Sequence, residues 1–208
     1  MRRIKLVAAM TAMCLTFTLR VLSQEHDSIQ NECDSLQNAS SSDLVQYLHG
    51  IVPNERNGDC ITWAMRKLGK DQFEAAIPTL ARLLDFRRPP TPREKRGYVM
   101  HPQGISDLYP AAGALELFGK QALPAVLNVM RADSSSTVAR ENSVGVWMEI
   151  YRQSDEQPKG VALLKQEESK TDDDAIRRRL KWATDRAVTY CNPPDVAACR
   201  RAAATGAP

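Results

Sequence analysis

One phrase in this chain is written twice. Trp63-Ala64-Met65-Arg66-Lys67-Leu68-Gly69-Lys70 precedes Ile77-Pro78, and Gly113-Ala114-Leu115-Glu116-Leu117-Phe118-Gly119-Lys120 precedes Leu123-Pro124. The two glycines are 50 residues apart and the two prolines 46, a spacing at which self-similarity marks stacked helical pairs. Each copy reads as a helix, a Gly stop, a basic residue and a second helix opened by Pro. Such units bury their apolar faces only against each other, so the phrase constrains architecture and leaves chemistry open.

The apolar period extends this frame along the chain. Ser42 or a neighbouring serine caps a short helix with Leu44, Tyr47 and Leu48 on its apolar side. Asn57 or Asp59 caps the next, whose Ile61, Ala64, Met65 and Leu68 share one face, and Gly69 is expected to supply a left-handed stop. Its partner turns Ile77, Leu80, Leu83 and Leu84 inward, with Pro78 at the first helical position. The second unit repeats the pattern with Ala111, Ala112, Leu115 and Phe118, then Leu123, Val126, Leu127 and Met130. A third pair, without the Gly-Lys signature, carries Ala139, Val146, Trp147 and Ile150, then Val161, Leu163 and Leu164 after Pro158. Asp172-Asp173-Asp174 heads a last long helix, where acids complement the partial positive charge. No segment alternates apolar and polar residues with β-branched enrichment, so the expected fold class is all-α.

The first residues have the three parts of a secretory signal: Arg2, Arg3 and Lys5, an uncharged run from Leu6 to Leu19, and Val21-Leu22-Ser23 at the peptidase positions. The run is short for a membrane span, and Arg20 closes it. The expected organisation is a signal peptide over 1–23 cleaved near Ser23, a flexible lead-in over 24–40, one helical repeat domain over 41–200 and a disordered tail over 201–208. Loss of Arg2, Arg3, Lys5 and Arg20 takes the 28 basic and 25 acidic residues to 24 and 25. The processed chain is then close to neutral, and its charge gives no reason to expect nucleic-acid binding or stable membrane insertion.

Four cysteines remain after cleavage, Cys33, Cys60, Cys191 and Cys199, an even number in a chain routed to an oxidising space. Four cysteines allow three connectivities. The ends of a repeat stack lie far apart while bridged α-carbons must lie within about 7 Å, which favours Cys33-Cys60 and Cys191-Cys199. Neither spacing is that of a zinc knuckle or a thioredoxin-like motif, so the expected role is structural.

Ala64-x3-Leu68-Gly69 with Ile77-Pro78-x-Leu80-x2-Leu83-Leu84, and Ala114-x3-Phe118-Gly119 with Leu123-Pro124-x-Val126-x2-Val129-Met130, resemble the HEAT-like repeats, including the short bacterial variety first noted in phycobilisome lyases. The match covers residues 58–131 and, more loosely, 137–169. The resemblance implies a right-handed α-α superhelix of about three helix pairs plus terminal helices, serving as a binding scaffold. It implies no catalytic residue, because the repeated positions are core and turn positions.

The most unusual stretch connects the first two units. Between Arg87 and Arg96 it carries Arg87, Arg88, Arg93, Lys95 and Arg96 against the single acid Glu94, followed by Tyr98 and His101. Long connections inside compact domains are often functional, and these cations suit an acidic surface. The sequence reading is therefore an exported, non-catalytic scaffold that binds a protein in the cell envelope or extracellular space through its concave helical face and the 87–101 loop. The alternative is an envelope enzyme or enzyme accessory protein with Tyr98, His101, Asp107 and Tyr109 around one pocket. The chain has no Gly-rich phosphate loop, Gly-x-Ser-x-Gly or His-Glu-x-x-His motif, so no catalytic residue, metal or cofactor is assigned.

Overall fold

The computed structural model describes residues 33–54, 57–98 and 104–207. The expected signal segment and most of the lead-in lie outside the described residues. Among those described, every regular element is helical. The longer helices are α1 (Ser41–Gly50), α2 (Gly58–Lys70), α3 (Ile77–Arg82), α6 (Pro110–Leu117), α7 (Leu123–Arg131), α8 (Thr137–Arg152), α9 (Gln157–Lys170), α10 (Asp174–Val188) and α11 (Val196–Thr205); two single turns, α4 (Pro92–Lys95) and α5 (Ile105–Leu108), lie in the long connection.

Local chemistry sets the helix starts. Ser40 caps α1 in a reciprocal box with Asp43, Ser136 accepts from the Ala139 N–H at 3.0 Å to open α8, and Asp173 accepts from the N–H groups of Ala175 and Ile176 to open α10. Asn57 precedes α2 without capping it. Its side chain instead joins that of Asn54 in tying the preceding loop. Pro78 and Pro124 stand second in α3 and α7, each preceded by a 3-10 turn, so both helices begin about a turn earlier than a Pro-first reading places them.

The apolar faces meet in one core that runs from Leu36 to Ala202. Helix α2 packs along α6 and α6 along α8, while α3 packs beside α6 and α7. Helix α10 reaches α7, α8 and α9, and α11 closes over α9 and α10. The few buried polar groups are used at helix ends. Asn142 Nδ2 donates to the Leu84 carbonyl at 2.7 Å and Trp147 Nε1 to the Gly160 carbonyl at 2.9 Å, while the exposed Arg82 reaches back with Nη2 to the Leu48 carbonyl at 2.7 Å.

Cys33 and Cys60 stand with their α-carbons 5.2 Å apart, and Cys191 and Cys199 with theirs 6.7 Å apart, in the two disulfide pairs favoured above. The tail differs from expectation. Residues 201–205 continue α11, Ala202 is fully buried, and Gly206 closes the helix in the left-handed region. Small residues keep this helix thin enough to lie on α9, which composition alone does not distinguish from disorder.

The two phrase glycines also differ from one another. Gly119 has φ +57° and open space around its missing side chain, as a left-handed stop requires. Gly69 remains inside α2, and Gln72 takes the positive φ instead. A β-carbon on Gly69 would lie 2.7 Å from the Ala114 Cα and 2.8 Å from its Cβ. The first glycine is therefore demanded by the approach of α6 and the second by backbone conformation. Gly69→Ala is expected to cost about 1–3 kcal/mol through overpacking and to be partly rescued by Ala114→Gly. Gly119→Ala should cost about 1 kcal/mol with no such rescue, and urea-unfolding midpoints of the single and double variants check the difference.

Candidate functional site

The connection after α3 is built rather than loose. The Arg88 N–H donates to the Leu108 carbonyl at 2.9 Å, bringing the two ends of the stretch together. The Arg88 guanidinium then pairs bidentately with Glu94, Nη1 and Nη2 each 2.8 Å from a carboxylate oxygen, while Nε donates to the Asp107 carbonyl at 2.6 Å and Nη1 to the Pro89 carbonyl at 3.0 Å. Both side chains are largely withdrawn from water, 12% exposed for Arg88 and 14% for Glu94. A planar guanidinium makes these four bonds at once, two of them as a parallel fork to one carboxylate, where a lysine ammonium has three donors and no fork.

Glu94 has a second role. Thr91 and Glu94 form a reciprocal capping box that opens α4, so the carboxylate both caps the turn and receives Arg88. At the near end, Pro89 sits against Gly58 so closely that a β-carbon there would lie 2.4 Å from the Pro89 Cγ. At the far end, Ile105 fills the space over Gly145, and the Ser106 hydroxyl donates to Glu116 at 2.8 Å. Arg88 is therefore structural, in contrast to its inclusion among the sequence-predicted binding residues. Its charge is spent inside the loop.

Arg87, Arg93, Lys95 and Arg96 are exposed, as is Tyr98, at 64%. Arg87 and Lys95 stand at a groove of about 910 Å³ that runs between the strapped loop and Pro53-Asn54 of the α1–α2 connection, with Leu83, Phe86, Pro89, Pro90 and Leu108 supplying apolar lining. The residues of the enzyme alternative are placed elsewhere. Tyr109 packs half-buried on the core, and Asp107 is exposed with its carbonyl given to Arg88. Neither they nor Tyr98 line this groove, and His101 lies outside the described residues. Among the described residues no group of His, Cys, Asp and Glu is placed to hold a metal ion, and no helix is long and apolar enough to cross a membrane.

Sequence reasoning passed over Glu116. Burial carries its carboxyl from the ordinary 4.5 up to about 7, with Glu149 adding to the rise while the Ser106 hydroxyl and Arg152 oppose it. The available signal was its position in the phrase, where an acid interrupts the apolar run of α6. The chain matches no protein-family model, and comparison with curated proteins and with solved structures finds no match.

Two outcomes follow from this geometry. Arg88→Ala leaves Glu94 and two carbonyls without their donor, and chymotryptic cleavage at Tyr98 is expected to accelerate by roughly tenfold, with a global stability loss of about 1–3 kcal/mol. For Glu116 the folded-state value lies above the unfolded one, so the protonated form is the one the fold favours. The penalty for ionising it is absent below about pH 4.5 and grows as pH rises through about 7. Glu116→Gln should therefore raise the melting temperature at pH 8, by the equivalent of about 1–3 kcal/mol, and leave it unchanged at pH 4.

Proposed function

We propose that this chain is an exported, non-catalytic scaffold that binds a protein partner, with the strapped loop and its groove as the contact surface. The observation that carries the reading is the Arg88–Glu94 clamp. It holds exposed Arg87, Arg93 and Lys95 on a fixed turn beside a groove with an apolar lining, so little conformational entropy remains to be lost on binding. The partner suited to this surface is a polypeptide segment that offers acidic side chains to the rim and an apolar or proline side chain to the groove. The near balance of 24 basic and 25 acidic residues in the processed chain supports a protein partner over nucleic acid.

Export is supported by the charged and apolar start of the chain together with two cysteine pairs at disulfide distance. A HEAT-like, right-handed superhelix is supported by the repeated phrase and by the succession of α2, α6 and α8 along one another with α3, α7 and α10 beside them. In such an arrangement the concave helical face would extend the contact surface beyond the loop.

The test is crosslinking capture from the host's envelope and extracellular fractions, using the processed protein beside a variant with Arg87, Arg93, Lys95 and Arg96 changed to Ser and Arg88 retained. Capture by the first and at least tenfold less by the second is the expected result, since a rim of several charges steers and holds an acidic partner. Equal capture by both would place the interface away from the loop and refute the reading.

A further inference from the structure

A second concentration of positive charge lies where the start of α8 meets α10. Thr137 and Arg140 from α8, Arg178, Arg179 and Trp182 from α10, and Asp133 from the preceding turn line a groove of about 480 Å³. Residues 178, 179 and 182 share one side of α10, because positions three and four apart are neighbours on a helix.

The three guanidiniums are in different states. Arg179 is committed, with Nε donating to the Arg131 carbonyl at 2.7 Å and Nη1 paired with Asp133 at 3.0 Å. Arg140 makes one long bond, Nη2 to the Asp133 carbonyl at 3.3 Å, while its Nε is buried and has no partner among the described residues. Arg178 is exposed and enters no ion pair among the described residues. Of the neighbouring acids, Asp172 is exposed to water and three others are already engaged. Asp173 holds the N–H groups that open α10, Asp174 pairs with Arg177, and Glu141 pairs with Arg186.

Two guanidiniums thus face a groove whose one carboxylate is taken, and one of them carries a buried donor that lacks an acceptor. That Nε is covered by protein atoms, so an incoming oxygen would meet Arg140 through the rest of its guanidinium, which lines the groove. The 16-residue α8 begins in the same groove and adds the positive end of its dipole. Trp182, 39% exposed, offers an indole surface next to these charges.

We propose that this groove binds a small phosphate monoester carried on a ring, the phosphate oxygens taken by Arg140 and Arg178 and the ring lying against Trp182. Arginine forks match phosphate oxygens, and a cavity of this size accommodates a small ligand. The site is separate from the loop surface, although the two meet at the start of α8, where the Ser136 hydroxyl donates to Asp85 of the larger groove at 2.8 Å.

The test is isothermal titration of the processed protein with inorganic phosphate, glucose 6-phosphate and adenosine 5′-monophosphate. At least one ring-bearing phosphate is expected to bind about tenfold or more tightly than inorganic phosphate. The two esters distinguish a sugar ring from a nucleobase as the source of that gain. Arg178→Gln, at an exposed position and with an unchanged fold to be verified by circular dichroism, should weaken binding by about tenfold or more. Trp182→Leu should remove the advantage of the ring, and the loop variant lacking Arg87, Arg93, Lys95 and Arg96 should bind as wild type does. No binding at millimolar ligand, equal affinity for inorganic phosphate, or indifference to Arg178→Gln would each overturn the proposal.

Discussion

The approach of α2 to α6 is set by contact between backbones, with the missing side chain of Gly69 making room for Ala114. At that separation Met65, Leu68 and Leu115 are all fully buried. Helix α6 then carries the neighbouring elements. Gly113 lies so near Ser106 that α5 is held against it, and Gly145 on α8 admits the Ile105 side chain. The far end of the long connection is thereby fixed by α6 and α8, and its near end by Pro89 over Gly58 at the start of α2. A closely spaced helix layer is what allows a stretch of twenty residues to be held at both ends.

The apolar period made most of this arrangement readable. Ile61, Ala64, Met65 and Leu68, and later Ala111, Ala112 and Leu115, are the buried positions that a 3.6-residue repeat assigns. The cysteine pairing was also accessible, because separated ends restrict which α-carbons can meet. The roles of individual polar and small residues were hidden. Gly69 and Gly119 occupy the same place in one phrase, yet only a neighbouring helix reveals that the first answers to a contact and the second to a dihedral angle. The helical end of the chain escaped for a related reason: alanines read as low complexity until another helix is found to bury Ala202.

The candidate surface was legible as composition but not as mechanism. Five cations in ten residues marked the loop, while nothing in their order separates Arg88, which turns inward to Glu94, from the exposed Arg87, Arg93 and Lys95 beside it. Glu116 was obscure because its raised pKa comes from burial and from Glu149, 33 residues away. The Arg140 and Trp182 groove likewise joins residues 42 positions apart, on helices whose contact follows from packing. Charge can be counted along a chain, whereas desolvation and pairing exist only across it.

The clamp has a consequence for how this surface can change over time. Arg88, Glu94, Thr91 and the carbonyls they use all lie between residues 88 and 108, so the turn is held by its own members and by small contacts at its two ends. Substitutions at residues 87, 93 and 95 leave that wiring alone. Natural variation could therefore rewrite the loop's outer face while the fold beneath keeps its stability, and related chains could acquire different partners by drift at a handful of exposed codons, with no compensating change in the core.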